Sequence, residues 1–415
     1  MGPEKAPLVM ARQKDDLPAP PELPSFRVEP SEDDLDHRKR SAMERHAGTG
    51  LVRHDAFLDE ASIDPDAAKV VRRLERNGFQ AYLVGGCIRD LLLGGRPKDF
   101  DVATSARPED VRALFRNCRV IGRRFRLAHV LFGQGKVIEV ATFRKSPQEL
   151  EVEEDLLIRN DNVFGEAHED ALRRDFTINA LFYDLDRRQV LDWCGGMEDI
   201  AKRTIRTIGE PSVRFREDPV RILRAVKFAA RLDLGIEPAV YDAMISHRED
   251  LARAARPRVF EEILRFMRQG AAHRSVWILW EAGLLVILLP ELAAFLDDEE
   301  SHPERVARFW QQLDAVDRYT RSHGPASIDD AVLLTILFYE PLEEAIANTR
   351  DRIRAVGDFL DPVAEHIALP RRLADSMRRI MAILPKLRAG RVVRARQGEI
   401  ITLATRVLEL AGAKR

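Results

Sequence analysis

Near Ser212 the apolar residues change their spacing and do not change back. Ahead of that point they fall in short runs cut by glycines. Behind it they recur every three or four positions: Val220, Leu223, Ala225, Val226 and Phe228, then Val259, Ile263, Leu264 and Phe266, then the block from Trp277 to Leu289. A period near two belongs to strands and one near 3.6 to helices, so a mixed head precedes a helical rear half. No repeat of roughly 20–50 residues recurs, which excludes solenoids and propellers.

The head alternates its elements. Ala68, Val70, Val71 and Leu74 predict a helix between Asp64 and Gly78. Gln80–Val84 is a short apolar strand, Gly85-Gly86 a turn, and Cys87–Leu93 a helical turn or two closed by Gly94-Gly95. Asp99–Ala103 reads as the next strand, and Pro108 with Glu109 and Asp110 as a helix start. Leu127–Phe132 and Lys136–Phe143 are β-rich runs joined by Gly133-Gln134-Gly135, a hairpin signal.

Composition shapes the ends. Seven of the 22 prolines and a mixed-charge run stand before His54, so residues 1–50 are expected to be a disordered leader, and acidic Glu149–Asp155 a mobile loop in the head. Residues 51–200 would form the head, 201–270 a helical neck, 271–369 a helical body, and 370–415 a basic tail. The formal charge of −2 hides +9 on that tail and −11 on the rest, which points to a polyanionic partner. No run of ~20 apolar residues and no secretory leader is present, so a cytoplasmic protein that does not span a membrane is expected. Cys87, Cys118 and Cys194 are too few and too scattered for a disulfide framework or a zinc finger.

Asp99-Phe100-Asp101 carries the first chemistry. Alternate residues of a strand share a face, so two like charges would stand together and call for a cation. Hard oxygen donors suit Mg²⁺, with Mn²⁺ as the alternative. Glu139, a lone acid in the apolar run Val137–Ala141, would complete a three-carboxylate cage if its strand lies beside that of Asp99 and Asp101. The segment Leu83–Asp90 adds a strand, a double glycine and a helix start. There Gly85 and Gly86 would let a phosphate approach backbone N–H groups, and Arg89 would face the same anion. His54-Asp55 is too isolated to support a metal-dependent hydrolase.

Four motifs in order, Gly85-Gly86-x-x-Arg89-Asp90, Asp99-x-Asp101, Arg173–Ala180 (RRDFTINA) and Arg216–Ala225 (REDPVRILRA), resemble the class II tRNA nucleotidyltransferase and bacterial poly(A) polymerase family. Cys118–Val130 (CRVIGRRFRLAHV) looks like the stretch typical of the poly(A) polymerases. The resemblance covers residues 60–270. It implies an α+β fold: a nucleotidyltransferase palm-like head with a mixed β-sheet, followed by an all-helical neck and body. It implies attack of an RNA 3′-hydroxyl on the α-phosphate of a nucleotide, with release of pyrophosphate. Asp99 and Asp101 would bind metal, Asp175 would be an active-site acid, and Arg174, Asp175 and Asn179 would face the ribose and triphosphate.

Asp218 before Pro219 reads as an N-cap, yet Arg221 lies on its helical face, and the pair offers an acceptor beside a fan of donors. Adenine and cytosine both present an amino donor next to a ring acceptor and fit. Guanine and uracil present the reverse and are rejected. The pocket therefore leaves ATP and CTP open. The poly(A)-type stretch and the basic tail, suited to gripping single-stranded RNA, favour ATP as substrate and single-stranded RNA 3′ ends as partner. CCA addition to tRNA is the alternative, and an inactive RNA-binding scaffold a weaker one. Lys227, Arg231, Arg256 and Arg258 are candidates for the RNA path.

Overall fold

The computed structural model describes residues 50–56, 58–122, 126–145, 163–347, 349–391 and 398–412. The expected leader, the acidic loop Glu149–Asp155 and Arg123–Phe125 lie outside the described residues.

The head is built on one eight-stranded sheet whose neighbours run β1-β10-β9-β2-β3-β6-β5-β4. Its strands are β1 (Val52–Asp55), β2 (Ala81–Val84), β3 (Asp101–Thr104), β4 (Cys118–Ile121), β5 (Leu127–Leu131), β6 (Val137–Thr142), β9 (Phe182–Asp184) and β10 (Gln189–Asp192); β7 (Arg144–Lys145) and β8 (Val163–Phe164) form a separate ribbon. Within the large sheet β3 and β6 are parallel and the other pairs antiparallel. Helix α1 (Pro65–Arg76) begins where expected, its N-cap Asp64 accepting from the N–H groups of Asp66 and Ala67. Its apolar stripe, Val70, Val71 and Leu74, packs with Val102, Val130, Ile138 and Val140 on one sheet face. Helix α2 (Gly86–Leu92) follows β2 directly, and α3 (Pro108–Leu114) covers β4 and β5 on the same face as α1.

Three details depart from the local spacing. The strand expected at Asp99 begins at Asp101, so Asp99 precedes it and strand parity does not fix its direction. Order begins before Asp64, because polar, mostly exposed β1 pairs at the sheet edge with β10. β9 and β10 are too short to show a period, yet β9 is buried throughout and β10 nearly so.

Helix α4 (Ala167–Leu172) packs on β7 within the head, and after β10 helices α5 (Gly196–Ala201), α6 (Pro211–Glu217) and α7 (Val220–Leu232) lead out of it, followed by α8 (Pro238–Ser246) and α9 (Arg256–Arg268). α7 is buried along most of its length, packing against α9 and the helix Ala272–Glu281. The described parts of the basic C-terminal segment are helical. Helix Arg371–Arg388 buries Leu373, Met377, Ile380, Met381 and Leu384, and Gly398–Leu410 packs beside it. No helix among the described residues is long and apolar enough to cross a membrane.

Candidate active site

The sheet register brings the acids together. Asp101 heads β3, with Glu139 of β6 directly beside it on one side and Val84 of β2 on the other. Neighbours in register project to the same face, so Asp101 and Glu139 share one. The Asp101 carboxyl opens to solvent, yet protein surrounds it on most sides. That burial, then the charges of Glu139 and Asp99, pushes its pKa up to about 6 against a smaller opposing pull from Arg174. Glu139 is half exposed, its Oε1 lying 3.6 Å from His129 Nε2.

Among the described residues no three His, Cys, Asp or Glu side chains converge as a metal cage. Asp99, Asp101 and Glu139 thus form an open acidic patch rather than the closed cage expected of them. The donors still fit a divalent ion: they are hard oxygens whose mutual repulsion a cation would relieve, and Mg²⁺ usually takes only one or two protein carboxylates.

Gly85 adopts φ 73° and ψ −126°, a conformation that disfavours any side chain, and its N–H donates to the Leu181 carbonyl at 3.1 Å. A Cβ there would lie 3.0 Å from Arg174 Nη1. Arg174 therefore closes over the turn, with its guanidinium held by protein partners. Asp170 accepts from its Nη2 at 2.9 Å, the Asn179 carbonyl from its Nη1 at 3.1 Å, and its guanidinium stacks on Phe182.

Arg89 departs from expectation. It is only 3% exposed and donates to Asp90 Oδ1 at 2.8 and 2.6 Å and to Asn179 Oδ1 at 2.5 Å, so it braces the turn from beneath rather than presenting a fork to a ligand. Asp175 is also turned inward. Its Oδ1 accepts from Asn179 Nδ2 and the Phe176 N–H, and its Oδ2 from Arg224 Nε at 2.5 Å. Burial opposes the Asp175 charge, but Arg224 and these hydrogen bonds overcome it and hold the carboxyl well below the usual range. Asn179 lies between Arg89 and Asp175 and is itself buried.

Arg214 and Arg224 carried no role in the sequence, and Arg231 was expected on the RNA path instead. Arg224 and Arg231 of α7 reach Asp175 and Asp90, and Arg214 of α6 donates to the carbonyls of Arg173 and Arg174 at 2.9 and 2.6 Å. Arg221, Arg224, Phe228 and Arg231 follow one another at helical spacing, which was the available signal.

The pair expected to read the base is present but engaged. Asp218 lies between α6 and α7, and its two oxygens accept from Arg258 at 3.0 and 2.7 Å. Arg221 is buried and donates to Glu217 at 2.7 Å and to the Arg214 carbonyl at 3.1 Å. Of the expected RNA-path residues, Lys227 is buried and paired with Glu262 at 2.7 Å, Arg231 binds Asp90 and Arg258 binds Asp218, while Arg256 is exposed.

Residues 81–206 match the family model described as the poly A polymerase head domain, and residues 233–296 the one described as a probable RNA and SrmB-binding site of polymerase A. Poly(A) polymerase I of Escherichia coli O157:H7 is 39% identical over 376 residues, which span 86% of this chain and 78% of that one. The CCA-adding enzyme of Geobacillus stearothermophilus is 36% identical over 228 residues, spanning 55% of each chain. Among solved structures, the Bacillus stearothermophilus CCA-adding enzyme in complex with CTP superposes with a TM-score of 0.61 at 27% identity, covering 85% of this chain and 78% of that one. The chain belongs to the family of tRNA nucleotidyltransferases and bacterial poly(A) polymerases, and is an enzyme of the nucleotidyltransferase class.

Proposed function

We propose that this protein is a template-independent poly(A) polymerase, transferring AMP from ATP to single-stranded RNA 3′ ends with release of pyrophosphate. The observation that carries the choice is the extent of sequence similarity: to poly(A) polymerase I it runs over 86% of the chain, and to the Geobacillus stearothermophilus CCA-adding enzyme over 55%, although the fold itself superposes on a CCA-adding enzyme over 85%.

In this reading the Gly85-Gly86 turn, with no Cβ in the way, receives the triphosphate, and Arg174 neutralises it from above. Arg89 and Asn179 hold the turn in shape beneath. Asp175 acts through Arg224 to fix the neck helix against the head. Asp99, Asp101 and Glu139 are the groups that would hold Mg²⁺ or Mn²⁺. When bound, such an ion lowers the pKa of the attacking hydroxyl and offsets charge on the leaving pyrophosphate. The bond formed joins the RNA 3′-oxygen to the α-phosphorus, and the bond broken is that from the α-phosphorus to the bridging oxygen of the pyrophosphate. Asp218 accepts from the adenine amino group and Arg221 donates to the ring nitrogen once their present partners yield. The cytoplasm is the proposed compartment.

Incubation with ATP, CTP and Mg²⁺ on a generic RNA and on a tRNA lacking its 3′ end tests the reading. Long A-tails on the generic RNA are expected. A three-nucleotide stop containing C, on tRNA alone, would instead identify a CCA-adding enzyme.

A further inference from the structure

The half of the sheet beyond the acids has one face that the described residues leave bare. On the opposite face Ala128, Val130, Ile138 and Val140 are buried beneath α1 and α3. On the bare face Ile121 and Val137 are 49% and 38% exposed.

The register draws a line across this face. Asp101 stands beside Glu139, Glu139 beside His129, and His129 beside Arg119, one residue from each of β3, β6, β5 and β4. Strands lie about 4.8 Å apart, so His129 is roughly 10 Å and Arg119 roughly 14 Å from Asp101. At about 3.4 Å per stacked nucleotide, the row spans the last few nucleotides of a strand. Arg119 is exposed, and His129 is partly so, with Glu139 as its neighbour at 3.6 Å.

In-line displacement gives this row a direction. Attacking and leaving oxygens stand on opposite sides of the α-phosphorus. The leaving pyrophosphate belongs with Gly85, which follows β2 on one side of Asp101. The attacking 3′-hydroxyl must then arrive from the other side, over β6, β5 and β4.

We propose that the bare face of β6-β5-β4 is the seat of the RNA primer's 3′-terminal nucleotides, with Arg119 and His129 holding their phosphates and Ile121 and Val137 supporting sugars and bases. The inference rests on the polymerase reading and adds the path its RNA takes. The line begins at the acids and ends on an exposed cation, and Ile121 and Val137 flank it, each two residues off the row on opposite sides, as aliphatic side chains of the sort a nucleobase can lie against.

The test measures binding of a 5′-labelled oligo(A) RNA by fluorescence anisotropy, without ATP, to the full chain and to Arg119→Ala, Arg119→Glu and His129→Ala. It is paired with steady-state kinetics and melting temperatures. Arg119→Ala should weaken RNA binding about five- to tenfold and reduce the dependence of log affinity on log salt by about one, with melting temperature and KM for ATP unchanged; Arg119→Glu should weaken it further. In tailing assays the loss should fall on KM for RNA and not on kcat. Unchanged RNA affinity and salt slope in Arg119→Glu would overturn the proposal even if tailing proceeds normally. A loss of kcat at unaltered RNA affinity in His129→Ala would remove His129 from the path and make it a support for Glu139. Absence of tailing by the unaltered chain would defeat the polymerase reading, while the anisotropy measurement would still report on the track.

Discussion

Arg224 Nε meets Asp175 Oδ2 at 2.5 Å, and this contact joins the neck to the head across 49 residues of sequence. Asp175 is 9% exposed and is held ionised mainly by this guanidinium. Removing the cation leaves a buried charge without its main partner. Arg224→Ala should lose stability toward the lower end of about 3–5 kcal/mol, because Arg224 keeps about a third of its side chain in water. Urea unfolding at neutral pH measures it. The same variant should raise KM for ATP, since α7 also carries Arg221, the proposed donor to the base. A variant as stable as the parent would show the contact to be incidental.

Gly85 answers to conformation and to space together. Its φ of 73° is costly for alanine, and the added methyl would press on Arg174. Gly85→Ala should raise KM for ATP by about tenfold or more while leaving RNA affinity alone. At Gly86 a Cβ would meet only Arg89, at 3.5 Å, so Gly86→Ala should be the milder change. Equal effects at the two positions would argue against strain at Gly85.

In the proposed metal site, Asp101 would link pH to metal. With its pKa raised to about 6, the folded protein holds a proton between roughly pH 4 and 6 that the unfolded chain has released. The contribution is therefore favourable at the acid end of that window and is lost as pH rises through about 6, leaving a strained carboxylate at neutral pH. In chelator, Asp101→Asn should melt higher than the parent at pH 8 and show no advantage at pH 4. Added Mg²⁺ should raise the parent's melting temperature and leave that of the variant nearly unchanged. A parent indifferent to Mg²⁺ would remove Asp101 from the metal site.

What was legible beforehand divides along physical lines. The change of period at Ser212 marked the passage from sheet to helix, and Val137–Ala141 announced a strand that the fold sets beside Asp101. Turn chemistry at Gly85-Gly86 was local and could be read. Arg89, Asp175 and Asp218 were read as facing ligands because their partners are remote or ambiguous. Whether Arg89 points outward depends on Asn179, 90 residues away, and Asp218 is engaged by Arg258, 40 residues on. Local spacing carries no information about such pairings. The same holds for Lys227 and Glu262, whose mutual burial turns an apparent surface charge into an interior one.

In the proposed reading, Asp218 can meet a base only if Arg258 releases it. Both Asp218 oxygens accept from Arg258, whose side chain is 54% exposed, so the pair contributes about 0–1 kcal/mol and can be exchanged for a nucleobase. If Arg258 only competes, Arg258→Ala should lower KM for ATP, by at most about fivefold for about 1 kcal/mol. If it aims the carboxylate, the same change should raise KM and weaken discrimination against GTP. Asp218→Ala should raise KM for ATP in either case and narrow the preference for A over G, because a purine carbonyl no longer faces an acceptor. The sign of the Arg258→Ala effect, read beside that of Asp218→Ala in single-nucleotide incorporation assays, separates a placeholder from a guide. The half-exposed Arg258 guanidinium, free to swing into water, favours the placeholder, and a lowered KM is the expected result.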